Sequence, residues 1–267
     1  MVPASAAEST LEQGRRLLLG HFASLGYFER PPLDLITLDD FNDGLRYDRA
    51  IGSSRGGNVM WPQLCGRVED IANKGQEGVL AGFHHFALRN SNPAFDGELL
   101  LQAVGFLVRQ AGLPPSRLVF VSTEWFEPYK SIFGSHGIAM DQLIVRPLAE
   151  AEAAGDGSGF FKPDGHPMKP RLATVSIHFV TDDGPAGGRS YPLSGAIEIA
   201  ELTLRAGPRR DAVVQDGSFG LERLLMAQGK AVGDFEESRR RLLRAIEQEA
   251  ARRGVPLPEA HGTFAAA

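Results

Sequence analysis

The order of strand-like and helix-like stretches constrains this chain most. The β-branched runs RLVFVST (117–123) and RLATVSIHFV (171–180) read as strands. ELLLQAVGFLVRQAG (98–112) reads as an amphipathic helix stopped by Gly112, and DFEESRRRLLRAIEQEAARRG (234–254) as a helix capped by Asp234 and stopped at Gly254. A first helix is expected through GRRLLLGHFASLG, opened by a capping box at Ser9-Thr10-Leu11-Glu12 and closed near Gly26. The prolines of RPPLDLITLDDFNDG (30–44) oppose helix, so that stretch reads as loop and extended chain. The Gly-rich, acidic AEAAGDGSG (151–159) reads as a surface loop. Strands and helices mix without the βαβ alternation that a parallel sheet requires, which predicts an α+β fold: an antiparallel β-sheet flanked by helices. There is no internal repeat and no composition break. Residues 1–267 therefore read as one domain, with 234–254 as its C-terminal helix and 255–267 as a frayed tail.

Composition narrows the function classes. A chain of 267 residues that is 43% hydrophobic can bury a real core. The net charge of −5, with no long Lys/Arg tract, argues against a non-specific nucleic-acid surface. A single cysteine, Cys65, excludes an internal disulfide framework and fits a reducing compartment. The seven histidines show no HxxxH or CxxxH pairing, so no metal-ligating set is expected. MVPASAAEST lacks the pattern of a signal peptide, and no apolar run approaches the ~20 residues of a membrane span. The expectation is a cytoplasmic protein without a membrane partner.

Two stretches carry chemistry. In QDGSFGLERLLMAQGK (215–230) a carboxylate, Asp216, precedes a Gly-Ser-Phe-Gly run that reads as a turn, and then Glu222 and Arg223 at a helix start. Glycines before a helix let backbone approach a ligand closely, an arginine in the first turn can meet a phosphate or stack on a base, and Asp216 could hold an ammonium group. The same residues also read as a strand–turn–helix corner whose Glu and Arg pair at the surface. QLCGRVEDIANKGQEGVLAGFHHFAL (63–88) reads as a hairpin with a wide polar loop. Arg67, on its first strand, could bind an α-phosphate while an aromatic of the second encloses adenine. A plain hairpin with a solvated loop fits that pattern too.

Together the two stretches resemble signature motifs 3 and 2 of class II aminoacyl-tRNA synthetases, and among them alanyl-tRNA synthetase. That family reads D-T-G-M-G-L-E-R where this chain reads Asp216-Gly-Ser-Phe-Gly-Leu-Glu-Arg223, without a gap. It reads C-I-R, a polar loop and H-H where this chain has Cys65-Gly66-Arg67 and His84-His85 at the same spacing. GFFKPDGHP (159–167) is similar to its N-F-W…G-P segment, EIAELTL (198–204) to E-I-W-N-L-V-F, and RRLLLGHFASLGY sits where its motif 1 helix would be. The resemblance spans roughly residues 10–232.

It implies a class II synthetase-like sheet and an enzyme that condenses an amino acid with ATP, with Mg²⁺ screening the triphosphate, to an aminoacyl adenylate and pyrophosphate. Carried over, Arg67 would grip the α-phosphate, Arg223 would stack on adenine or contact the γ-phosphate, and Asp216 would bind the substrate ammonium. Gly220, Asn73 and Lys74 would complete the ATP site. Phe86 would be the candidate adenine platform, with Phe83 as the alternative. The family's G-G-K-H-N-D-L-E loop is replaced by VEDIANKGQE (68–77), which keeps Asn73 but moves the lysine to Lys74. In the amino-acid pocket Phe161 replaces tryptophan, Glu201 asparagine and Thr203 valine. If they face the pocket, the added carboxylate and hydroxyl need a ligand to satisfy them, which points to a more polar or amine-bearing amino acid than alanine. Alternation equally allows Glu201 to point outward from a half-exposed strand. The family's tRNA-recognition and editing regions have no counterpart here. That predicts transfer to a carrier protein or small molecule, with tRNA only if a partner presents it. A non-catalytic amino-acid or nucleotide sensor and a small aminoacyl-tRNA synthetase are the alternatives. Class II cores commonly pair through motif 1, so a homodimer is also an expectation.

Overall fold

The structure is a computed structural model, which describes residues 6–36, 57–90, 97–161, 172–204 and 215–266. Among these residues nine strands form one sheet: β1 (Tyr27–Glu29), β2 (Asn58–Gly66), β3 (Gly82–Asn90), β4 (Leu118–Thr123), β5 (Leu143–Arg146), β6 (Phe160–Phe161), β7 (Leu172–Val180), β8 (Ala196–Leu204) and β9 (Gln215–Gly220). Their order is β1-β2-β3-β9-β8-β7-β4-β5, with β6 pairing β7 off that path. The pairings are antiparallel apart from β1 with β2 and β4 with β5 at the two edges, which are parallel. The helices are α1 (Ala6–Ser24), α2 (Glu98–Gly105, continued by a π-helical turn Phe106–Gln110), α3 (Ser131–Gly134), α4 (Leu148–Ala154), α5 (Leu221–Ala227), α6 (Phe235–Arg253) and α7 (Glu259–Ala266). The α+β sheet flanked by helices is the architecture that the missing βαβ alternation predicted.

Alternation along the strands gives the sheet two unlike faces. One carries Phe86 and Leu88 of β3, Val175 and Ile177 of β7, and Phe219 of β9, all essentially buried. Leu18 and Phe22 of α1 and Ala103, Val104 and Phe106 of α2 and its extension pack against them. Phe22 lies at the centre, its ring 6.2, 5.8 and 6.0 Å from those of Phe86, Phe106 and Phe219. The other face is polar along its middle, with Thr174, Ser176 and His178 in a buried row on β7, and carries apolar clusters at Val59, Trp61 and Ala87 and at Val119 and Val180.

Several local expectations are corrected. The first helix begins at Ala6, so Ser9 is inside it and does not cap it. The Gly-Ser-Phe-Gly run is strand, not turn, because β3 and β8 flank it on both sides and supply the backbone partners a turn would lack. Residues 151–159 are not all surface loop: α4 occupies the first half, and Gly157 to Gly159 then turn inward and are buried. Their glycines make the path open, with φ of +61° at Gly155, +86° at Gly157 and +98° at Gly159. The tail is not frayed where it is described: Glu259–Ala266 is helical, and Phe264 is fully buried in a cluster with Leu242 and Ile246 of α6. A single aromatic at the right spacing anchors it. Asp234 and Gly254 do bound α6: the Asp234 side chain accepts from Glu237 N at 2.8 Å, and Gly254 adopts φ +65°. Residues 37–44 of the proline-led stretch lie outside the described residues, as do 162–167 of the GFFKPDGHP segment.

Candidate active site

On the polar face the strands build a cavity of about 180 Å³. The β2–β3 hairpin forms one wall. Cys65 pairs with Phe83 and Gly66 with Gly82, so Arg67 leaves the strand end beside the cavity. Its guanidinium lies 5.1 Å from the Phe83 ring centre. β9 contributes Ser218 and Gly220 to the floor, and Arg223 enters from the first turn of α5. Arg223 Nε donates to Gly78 O of the hairpin loop at 2.9 Å, and its Nη1 lies 3.8 Å from Glu198 Oε2 of β8. Two arginines more than 150 residues apart in sequence thus face one space.

Carboxylates complete it. Glu198 and Glu201 both line the cavity although they stand three positions apart on β8. Strict alternation would send them to opposite faces. The pairing of β7 with β8 slips between Ile177 and His178: Ile177 opposes Ala200 but His178 opposes Glu198, and the extra residue brings both side chains to one side. Asp70 and His85 also line the cavity, as do Asp156 and Gly157 of the inward-turned loop. Asp156 is fixed by Arg146 Nη1 at 2.8 Å and by the Tyr191 hydroxyl, which donates to it at 2.8 Å. Burial pushes the Asp156 carboxyl up, but Arg146, Tyr191 and the Ser158 N–H outweigh it and hold it low. Glu201 lacks such partners. Burial drives its carboxyl well above the ordinary range, Glu198 adds to the shift, and Arg67 opposes it. Burial also lowers the His178 imidazole, which Glu198 opposes and Arg223 reinforces.

The predicted residues separate into two groups. Arg67, Glu201, Gly220 and Arg223 meet at the cavity. Phe86, Asp216, Thr203, Asn73 and Lys74 are not among the described residues that line it. Phe86 is corrected: an odd offset of three positions from Phe83 places it in the core on the opposite face, 1% exposed, while Phe83 faces the cavity. Asp216 lies on the cavity's face of β9 but beyond it, and its Oδ1 accepts from Arg89 Nε at 3.0 Å with both side chains buried. Thr203 turns its hydroxyl to the Asp216 backbone, donating to the carbonyl and accepting from the N–H, each at 2.9 Å. Asn73 accepts from Gln76 on the exposed loop. Lys74 reaches Glu236 of α6 at 2.5 Å, away from the cavity. Phe161 pairs through its backbone with Leu172 in β6–β7.

Sequence reading passed over Asp70, His85, Glu198, Ser218 and the 156–157 loop. For Ser218 and His85 the signal was present: both keep the alternation that sets Gly220 and Phe83 toward the cavity. Glu222 was read as a surface partner, but it is fully buried. It accepts from the His84 N–H at 2.8 Å, and its Oε1 lies 2.8 Å from His84 Nδ1. Burial raises its carboxyl, while the charge and hydrogen bonds of His84 hold it below the usual range. This pair locks α5, and with it Arg223, to β3.

No family model matches the chain, and no curated protein does. Among solved structures it is similar to pyrrolysyl-tRNA synthetase from Desulfitobacterium hafniense, at 13% identity and TM-score 0.44 over 82% of this chain and 69% of that one. It is also similar to the apo histidyl-tRNA synthetase of S. aureus, at 11% identity and TM-score 0.43 over 96% and 82%. No helix among the described residues is long and apolar enough to cross a membrane.

Proposed function

We propose that the cavity activates an amino acid with ATP, forming an aminoacyl adenylate. The convergence of Arg67 and Arg223 on one space floored by Ser218 and Gly220 carries this reading, and the motif resemblance around those arginines supports it. An oxygen of the substrate carboxylate attacks the α-phosphorus of ATP. The bond from that phosphorus to the bridging oxygen breaks, and pyrophosphate leaves with the electron pair. The carboxylate is already ionised, so no general base is needed. The protein's work is positioning and charge neutralisation. Arg67 faces the phosphorus where charge builds, and Arg223 faces the departing phosphates or the base. Phe83, beside Arg67, is the aromatic surface available to adenine. The oxygen donors of Asp70 and Glu198 suit Mg²⁺ arriving with the phosphates, where it would screen their charge.

The acyl group then passes to an acceptor, which we take to be a carrier protein or a small-molecule amine. Among the described residues around the cavity carboxylates outnumber arginines, which does not complement a polyanionic RNA. One set of contacts favours a second reading, a sensor that binds without turnover. Arg223 is engaged by Gly78 and Glu198, and Lys74 is drawn to Glu236. One assay separates the two. Amino-acid-dependent ATP–pyrophosphate exchange is expected with at least one member of an amino-acid panel, falling about 10²-fold or more in Arg67→Ala and in Arg223→Ala. Ligand binding without exchange by any amino acid would leave the sensor as the function.

A further inference from the structure

Resting on the amino-acid-activating reading, we propose that Glu201, and not Asp216, receives the ammonium group of the amino acid. Asp216 is already committed. Arg89 Nε donates to its Oδ1 at 3.0 Å, and the two side chains are only 4% and 8% exposed. Turning that carboxylate to a ligand would break a buried ion pair, which is costly. Asp216 is also absent from the described residues lining the cavity.

Glu201 offers what Asp216 withholds. In the β8–β9 register it lies opposite Ser218, whereas Thr203 reaches the Asp216 backbone one pleat further on. Two residues of strand, about 6.8 Å, therefore bring the anionic seat nearer the end where Gly220 and Arg223 stand. Among the described residues its carboxylate has no hydrogen-bond or ion-pair partner, though it lines the cavity. The loop that closes over it is cut to fit: a Cβ on Gly157 would lie 3.2 Å from both carboxylate oxygens, and Gly157 has φ +86°. An isolated carboxylate pressed against backbone is unfavourable until a cation arrives. Arg67 is close enough to act on Glu201 through its charge. Carboxylate and guanidinium therefore bracket a zwitterion, with ammonium at Glu201 and the reacting carboxylate toward Arg67.

The test compares Glu201→Gln, Glu201→Asp and Asp216→Asn in pyrophosphate exchange and in calorimetric binding, with alanine, the panel's best amino acid and propionate as an analogue lacking the amine. In Glu201→Gln the KM for the amino acid is expected to rise about tenfold or more, with the KM for ATP held within about twofold. Glu201→Asp should recover part of the loss, and propionate should bind the wild type and Glu201→Gln equally weakly. A rise in amino-acid KM confined to Asp216→Asn, in protein whose circular dichroism is unchanged, overturns the proposal. If the wild type shows no exchange at all, activation fails as a function. Calorimetry then still decides the seat: amino-acid binding weakened by Glu201→Gln upholds it, and binding that is unaffected or undetectable ends it.

Discussion

At the scale of single residues, burial and pairing decide which charged groups are open to a ligand. Arg89 with Asp216 is a buried pair, and the half-buried His84 meets the fully buried Glu222. Glu201 and Arg67 face the cavity. Asp216 shows how burial decides the role of an acidic residue. A carboxylate beside a glycine run reads as a ligand anchor, but a neighbouring strand supplies Arg89 directly opposite it. Removing one member of such a pair takes its counter-charge from a buried group. Asp216→Ala is therefore expected to lower folding stability by about 3–5 kcal/mol, measured by urea unfolding. A loss below about 1 kcal/mol would mean that the pair behaves like an exposed one.

Among the elements, the β2–β3 hairpin and α6 set the position of Arg67. Gly66 and Gly82 are register partners at the hairpin's end, and Leu242 of α6 packs onto both. A Cβ on Gly82 would lie 2.7 Å from Leu242 Cβ and 3.2 Å from Ser238 O, both parts of the helix that cannot swing away. A Cβ on Gly66 would meet only the tip of Leu242, at 2.7 Å from Cδ2. Gly82→Ala should thus cost more than Gly66→Ala, about 1–3 kcal/mol, because it must push α6 off the sheet. Ser238 Oγ, which accepts from Ala81 N at 3.1 Å, would be pulled from its partner as well. Urea midpoints of the two variants check the order, and equal losses would show that α6 shifts freely. The glycines beside Arg67 and His84-His85 stand out in the sequence, but the helix they make room for lies over 150 residues away.

For the molecule as a whole, buried titratable groups on both sides of the sheet make stability depend on pH in opposite senses. Burial lowers His178, and burial with Arg109 lowers His21, below the ordinary 6.5. A group with a depressed folded-state value favours the fold while neutral. Their contribution is complete above about pH 6.5 and is lost as pH falls toward the folded-state values. Glu201, raised above its ordinary 4.5, acts the other way: its contribution is present at low pH and lost as pH rises through its folded-state value. Comparing variants separates the two. The stability advantage of wild type over His178→Gln should shrink between pH 7.5 and 5, by up to about 1.4 kcal/mol per pH unit, in urea unfolding at fixed ionic strength. A difference that stays constant over this range would mean that His178 is not held neutral.

What the sequence determined by itself is local. Periodicity placed the long helices, β-branched runs placed β4 and β7, and a cap and a glycine bounded α6, because these signals lie within a few residues of what they specify. The arginines of the candidate site were legible for the same reason, each beside its own short motif. The tertiary structure alone decided which residues share the cavity. Alternation over an odd offset of three positions sends Phe86 to the core and Phe83 to the cavity. A slip in the β7–β8 pairing turns Glu198 and Glu201 the same way, and Arg89 on a neighbouring strand takes Asp216 out of play. Register and cross-strand pairing are properties of two segments at once, and neither segment carries them alone.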